Sequence, residues 1–273
     1  MVLDVFRMDG KSVIVTGSGR GLGKAMAKAL AAAGASVVCA ARTPEQINAT
    51  VEEITADGGT ALAVPTDVTS SAAVDALVAR AVEAYGRLDV MIANAGGGGG
   101  PQDLEFWEYP DDAFDSVLAT NLKSAFYSDR AAARQFVAQG EGGVIVNVAS
   151  GTAMRGNQQF AYPTAKGGVL SLGKSLATML AKQNIRVNTI VPGYINQRPP
   201  RDEAEAELRR NRGIRVPIRR LGDYWELGPL ALYLASDASR YVTGEAFIID
   251  GGGLAGGLAP VTFAPLHEIG AAS

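Results

Sequence analysis

Tyr162 and Lys166 lie four residues apart in the stretch FAYPTAKGGVLSLGKSLATML. On a helix this spacing stacks two side chains on one face, holding a phenol and an ammonium a few ångströms apart. A phenol with a pKa of about 10 is a poor proton donor or acceptor at neutral pH. A fixed positive charge beside it favours the phenolate and draws the group toward the range useful for acid–base chemistry. The same spacing also arises where a ring packs beside a solvated amine. The surrounding elements have to decide between these readings.

Short β-branched runs recur along the chain at 12–16, 36–40, 61–65, 88–93, 143–148, 185–191 and 245–250. Between them, apolar residues repeat at three and four over about 21–33, 44–56, 71–85, 112–138, 162–183 and 226–236, the period of amphipathic helices. Runs such as VIVNV are apolar nearly throughout, as strands covered on both faces are. The alternation predicts a single α/β domain over 1–273, a doubly wound, parallel seven-stranded sheet of Rossmann type with helices on both faces. Two segments break the rhythm: Gly96 to about Tyr109, which begins with five glycines, and about 193–224, rich in Arg and Pro. Both follow strands, and ligands of open α/β sheets bind at the carboxyl ends of strands.

The first strand runs into TGSGRGLGKAMAKALAAAG. Gly17, Gly21 and Gly23 follow TGxxxGxG, in which glycines permit a tight turn and a close approach of backbone to a diphosphate at a helix N-terminus. With Ser18, Arg20 and Leu22 they form the expected cofactor loop. A triphosphate-binding loop is excluded, because glycine would be needed where Ser18 stands and Ser or Thr where Ala25 stands. At the end of the second strand an acidic residue would favour NAD. The chain instead has Ala40, Ala41 and Arg42, and Arg42 together with Arg20 suits a 2′-phosphate. NADP(H) is therefore the expected cofactor.

Composition narrows the alternatives. The chain has 273 residues, 47% of them hydrophobic, and a net charge of −3, which offers no electrostatic footprint for nucleic acid. One cysteine, Cys39, precludes an internal disulfide and a cysteine-based metal site. The only histidine, His267, is the seventh residue from the C-terminus, a poor platform for a Ser/His/Asp triad or a histidine metal site. Neither an N-terminal signal pattern nor a bilayer-length apolar run is present, so a soluble cytoplasmic protein without a membrane partner is expected.

TGSGRGLG, Asp67-Val68, Asn94-Ala95-Gly96, Asn121, Ser150, Tyr162-Pro-Thr-Ala-Lys166 and Pro192-Gly193 occur in the order of one family, followed by LYLASDASRYVTGEAFIIDGG. The chain resembles the single-domain short-chain dehydrogenases/reductases, close in pattern to 3-oxoacyl-carrier-protein reductases and related ketone reductases. The resemblance covers about Met8 to Gly252. It implies that Tyr162 exchanges a proton with a substrate oxygen, Lys166 lowers the phenol's pKa and binds the nicotinamide ribose, Ser150 hydrogen-bonds the reacting carbonyl, and Asn121 holds a water linking Lys166 to solvent. It also implies cofactor contacts from Asp67, Val68, Asn94, Ala95, Gly96, Pro192, Gly193 and Ile195. A hydroxyl pair aimed at the oxygen on which charge develops is good electrostatic design. Extended-type epimerases call for TGxxGxxG, whereas Arg20 stands at the second glycine, and enoyl reductases of related fold space tyrosine and lysine more widely. A catalytically silent NADP(H)-binding regulator is the alternative from another class, and it need not keep Asn121, Ser150, Tyr162 and Lys166 together.

The chain departs from the pattern in places. Twelve positions separate Ser150 from Tyr162, where the family more often has thirteen, and Thr152 offers a second hydroxyl nearby. Beyond Gly193 the sequence reads YINQRPP instead of offering the family's threonine, so Asn196 or Gln197 replaces that contact. Arg155, Phe160, Tyr194, Phe106, Trp107 and Tyr109 are pocket candidates. Between Arg198 and Arg220, eight arginines face four acids; the segment is either a reader of anionic substrates or a solvated helix face with pairs such as Glu205 and Arg209. The tail 253–273 has one charge, Glu268, and its apolar residues suit docking on a neighbouring subunit of a homotetramer.

Overall fold

The computed structural model describes residues 1–102, 104–155 and 159–256. Seven strands form one parallel sheet: β1 (Ser12–Thr16), β2 (Ser36–Ala41), β3 (Thr60–Pro65), β4 (Val90–Ala93), β5 (Gly143–Val148), β6 (Ile185–Pro192) and a last strand, β9 (Ala246–Ile249). Their spatial order is β3-β2-β1-β4-β5-β6-β9. Two-residue strands β7 (Ile195–Asn196) and β8 (Gly222–Asp223) pair separately in parallel.

The central strands are buried on both faces; β1 has no accessible residue pattern at all, reading buried at every position. Val13, Val15, Val37 and Cys39 pack on one side with Met26, Leu30 and Leu234, and Ile14, Val38 and Met91 pack on the other with Leu77, Ala132 and Phe136. This two-layer cover is why the strands read as continuous apolar runs. The helices are α1 (Gly21–Ala32), α2 (Pro44–Ala56), α3 (Ser71–Tyr85), α4 (Asp111–Leu118), α5 (Ser124–Gln139), α6 (Ala161–Leu180), α7 (Glu203–Ile214) and α8 (Leu227–Ala235). Side-chain caps define some of their starts: Ser70 Oγ accepts from Ala73 N at 3.3 Å, and Asp202 Oδ1 from Glu205 N at 2.8 Å.

Two differences from the periodicity matter for function. The predicted helix at 112–138 is interrupted by a π-helical turn, Ala119–Lys123, centred on Asn121. Within 193–224 the polar segment Glu203–Ile214 forms α7, whose start is set by the Asp202 cap and whose surface carries ion pairs in place of an apolar stripe. No described helix is long and apolar enough to cross a membrane. The tail expectation falls on 257–273, and with it His267 and Glu268; these lie outside the described residues.

Candidate active site

The strand order reverses direction between β1 and β4, and the loops leaving their carboxyl ends separate there to form a cleft of about 380 Å³. Thr16, the last residue of β1, joins the two loops. Its hydroxyl accepts from Asn94 N at 3.1 Å and Ala95 N at 3.0 Å and donates to Ile92 O at 3.3 Å. Asn94 returns the link by donating Nδ2 to Thr16 O at 2.8 Å. Thr16 was not among the residues singled out from the sequence, although its place at the head of TGxxxGxG was the available signal.

The glycine loop fits a dinucleotide diphosphate. Gly17 adopts φ 68°, left-handed backbone that favours glycine, and a Cβ there would sit 2.8 Å from Asn94 Nδ2. At Gly23 a Cβ would meet Gly17 O at 2.2 Å, so only glycine lets the start of α1 close on the loop. The opening of α1 thus presents backbone N–H groups to the cleft, a suitable environment for an anion. Gly17, Arg20, Leu22, Gly23, Arg42, Val68, Asn94, Ala95, Gly96, Pro192, Gly193 and Ile195 all line this cleft together with Ser150, Tyr162 and Lys166.

Four expected residues do not line it. Ser18 is fully buried, and its hydroxyl accepts from Ala40 N at 2.9 Å, tying the loop to β2. Gly21 is buried at the first position of α1. Asp67 is exposed and accepts from Thr69 N at 3.0 Å and Thr69 Oγ1 at 2.8 Å, which holds its carboxyl below the usual range. Asn121 stands behind the wall: its Oδ1 accepts from Gly97 N at 2.8 Å, and its Nδ2 donates to Gly97 O at 3.1 Å and Val117 O at 3.0 Å. Asn121 Oδ1 and Lys166 Nζ nevertheless converge on Gly96, where a Cβ would lie 2.8 Å from the first and 3.1 Å from the second. Thr43, Gln46, Thr66 and Thr120 are lining residues that the sequence reading passed over.

Helix α6 carries the pair. A Cβ at Gly173 would lie 2.6 Å from Thr189 Oγ1, so the helix rests directly on β6. Tyr162 and Pro163 fall in its first turn, where the N–H that proline lacks has no intrahelical acceptor to lose. Lys166 is 3% exposed; its Nζ donates to Val148 O at 2.8 Å and lies 5.8 Å from the centre of the Tyr162 ring. Burial pulls its pKa down to about 8. Burial also raises Tyr162, opposed by its hydrogen bond with Ser150. The net shift of the phenol is therefore upward, opposite to the lowering expected from Lys166, because removal from water is its dominant cause. Ser150 Oγ also accepts from Thr152 Oγ1 at 3.0 Å and Thr152 N at 3.3 Å, placing the second hydroxyl where the sequence suggested.

Of the two amides after Gly193, Gln197 lines the cleft and faces Gly21, whereas Asn196 belongs to the β7–β8 ladder. Phe160 forms an aromatic wall with Phe106, Tyr109 and Phe114 at centroid distances of 5.1, 4.7 and 6.0 Å. Trp107 remains 79% exposed and does not join it. In the arginine-rich segment, Glu205 pairs with Arg198 at 2.8 Å, Arg201 at 3.0 Å and Arg209 at 2.7 Å. The bond from Arg201 N and these guanidinium partners hold its carboxyl far below the ordinary range.

A parallel sheet with a glycine loop at its switch point, and a serine, a tyrosine and a buried lysine lining the same cleft, defines a dinucleotide-binding oxidoreductase architecture. The family model described as Enoyl-(Acyl carrier protein) reductase matches residues 17–253. An L-rhamnose 1-dehydrogenase (NAD(P)(+)) of Azotobacter vinelandii is 40% identical over 248 residues, covering 89% of this chain and 96% of that protein. The crystal structure of a short-chain type dehydrogenase/reductase from Mycobacterium marinum superposes with a TM-score of 0.85 at 36% identity, covering 93% of this chain and 98% of the other. A 7α-hydroxysteroid dehydrogenase complexed with NADH and 7-oxo glycochenodeoxycholic acid does so with a TM-score of 0.83 at 35% identity, covering 92% and 96%. The chain belongs to the short-chain dehydrogenase/reductase family of oxidoreductases.

Proposed function

We propose that this protein is an NADP(H)-dependent reductase of ketones, including 3-oxoacyl compounds, and runs the reverse oxidation of secondary alcohols at the same site. The observation that carries the reading is that Ser150, Tyr162 and buried Lys166 line one cleft together with the glycine loop. The nicotinamide group supplies hydride for reduction and accepts it in oxidation. Gly17, Arg20, Leu22 and Gly23 would hold the diphosphate, with Ser18 and Gly21 shaping the loop. Arg42 and Arg20 would hold the 2′-phosphate. Val68, with Asp67 bracing its turn, and Asn94, Ala95, Gly96, Pro192, Gly193 and Ile195 would enclose the rest.

Ser150 holds the substrate oxygen, and Tyr162 gives it a proton as negative charge develops there. Burial keeps the phenol protonated at neutral pH, the form that a reduction consumes, although it makes the group a weaker acid than a free phenol. Lys166 would hold the cofactor ribose, and Asn121 positions Gly97 beside it. The four-residue spacing supports reduction of a ketone in preference to an enoyl double bond. The relatives' names are divided on the dinucleotide, NAD(P)(+) in one and NADH in another. The absence of a carboxylate at Ala40, Ala41 and Arg42 supports NADP(H) here.

Self-association is part of the same proposal, as a homotetramer. Phe126 and Val137 of α5 are exposed beside Leu176 and Leu180 of α6, around an apolar groove suited to burial against a second copy. Light scattering of Val137→Asp should show a smaller species than wild type. A panel of ketones and 3-oxoacyl thioesters, followed by NADPH absorbance with Tyr162→Phe as control, tests the chemistry. Turnover in the control equal to wild type would refute it. Arg42→Asp should raise the KM for NADPH about tenfold or more; an unchanged value with NADH already the better cofactor would overturn the cofactor assignment.

A further inference from the structure

In sequence, the arginine-rich segment 198–220 is either a reader of anionic substrates or a solvated helix face with internal pairs. In the structure its most engaged cations are already paired: Arg198, Arg201 and Arg209 with Glu205, Arg210 with Glu203, and Arg220 with Glu226. A different arginine stands on the loop that leaves β5 just beyond Ser150. Arg155 follows the short helical turn Gly151–Met154 that begins at Ser150, and Tyr194 directly follows the cleft residue Gly193. Arg155 Nη2 donates to Tyr194 Oη at 3.0 Å, and its guanidinium lies 5.6 Å from the centre of the Tyr194 ring. The contact joins the loops after β5 and β6, at the side of the cleft opposite in function to the adenosine-end arginines Arg20 and Arg42. Among the described residues, no carboxylate pairs with Arg155.

A guanidinium against an aromatic ring is oriented at little cost to its charge, and its planar fork keeps further N–H donors in the geometry that matches a carboxylate. Arg155 and Tyr194 are both exposed, and an arginine held only by water would be free to swing away. Here the ring and hydroxyl of Tyr194 restrain it beside the loop that carries Ser150. We propose that Arg155, aligned by Tyr194, is a specificity-determining residue that binds a carboxylate on the substrate, so that the preferred substrates are oxo acids and the corresponding hydroxy acids. This inference rests on the carbonyl-reductase reading of the same cleft.

The test uses matched pairs in which only the charge differs: acetoacetate, levulinate and 5-oxohexanoate against their methyl esters, with NADPH and NADH. At the chain length that spans Ser150 and Arg155, wild type should favour the acid by about ten- to hundredfold in kcat/KM, the worth of a charge-assisted hydrogen bond. Arg155→Ala should abolish that preference by raising KM for the acid, with kcat and the ester's constants nearly unchanged. Arg155→Lys should restore part of it, and added salt should weaken the acid's advantage. Calorimetric titration with the same acids and esters supplies a readout free of turnover, in which Arg155→Ala loses only acid binding. Equal kcat/KM for acid and ester in wild type, or equal losses for both in Arg155→Ala, would overturn the assignment while leaving the reductase reading intact. Turnover of no oxo compound with either cofactor would overturn both.

Discussion

Two buried ionisable groups hang from consecutive residues of β5 and have different fates. Asp129, on α5, accepts a hydrogen bond from Asn147 Nδ2 at 3.0 Å; Lys166, on α6, donates one to Val148 O at 2.8 Å. Their exposures are 1% and 3%, and neither has a paired opposite charge among the described residues. Burial moves both toward neutrality, Asp129 up to about 7 and Lys166 down to about 8. Lys166 opens onto the cleft beside Tyr162, whereas Asp129 lies at the floor of the groove between α5 and α6, away from that cleft, with its Oδ1, like Asn147 Oδ1, lacking a partner. The comparison separates burial that tunes a reactive group from burial that only burdens the fold. A shifted pKa by itself does not identify a catalytic residue; access to the site does.

Changing the cleft should affect turnover most. Tyr162→Phe should lower kcat about 10²–10⁴-fold, the contribution of a general acid, while the thermal midpoint stays near that of wild type. Steady-state rates and a melting curve of one preparation check both halves.

The group away from the cleft should show itself in stability. Because folded Asp129 keeps its proton to about pH 7 and an unfolded aspartate only to about 3.8, the folded state binds more protons between these values. Its contribution therefore falls as pH rises across that window, by up to about 4 kcal/mol at 1.36 kcal/mol per unit. Asp129→Asn should remove this slope and be more stable than wild type at pH 8, with turnover retained. Urea unfolding at pH 4.5 and pH 8 measures the difference; identical slopes in the two proteins would contradict it.

Lys166 should give the opposite sign. Its folded pKa lies below the unfolded 10.5, so the cost of charging it is complete below about pH 8 and disappears as pH rises toward 10.5. Lys166→Met should therefore gain up to about 3 kcal/mol at pH 7 while losing turnover, a stability gain purchased at the site of function. A Lys166→Met variant that is both less stable and fully active would break the contrast between the two groups. The smallest effect belongs to Ser18→Ala, which leaves Ala40 N–H without its hydroxyl acceptor and should cost about 1 kcal/mol with modest change in KM.

Much of this site was readable before folding, for identifiable reasons. Gly17 and Gly23 announce themselves because no other residue tolerates their backbone or their close approach, and the i,i+4 spacing of Tyr162 and Lys166 is a helical property that needs no tertiary partner. Asn121 was recognisable as out of place in a helix, but the π turn that aims it at Gly97 depends on packing between α4, α5 and α6. Ser18 and Asp67 carried the right positions in the motif yet support backbone rather than line the cleft. Thr16 and Gln46 escaped attention because a hydroxyl at a strand end and an amide on a helix are common, and only the neighbouring loops give them work.

The sequence by itself determined the order of strands and helices, the parallel sheet, the glycine loop and the Tyr162–Lys166 pair, because these follow from local periodicity and steric exclusion. Tertiary structure alone decided the protonation tendencies and the free charges. Burial raises Tyr162 where proximity to an amine had suggested lowering, since desolvation depends on the whole surrounding protein. Ion pairing within 198–220 engages the arginines that composition made conspicuous, and a ring from another loop orients Arg155, because charges are satisfied by neighbours in space and not by neighbours in sequence.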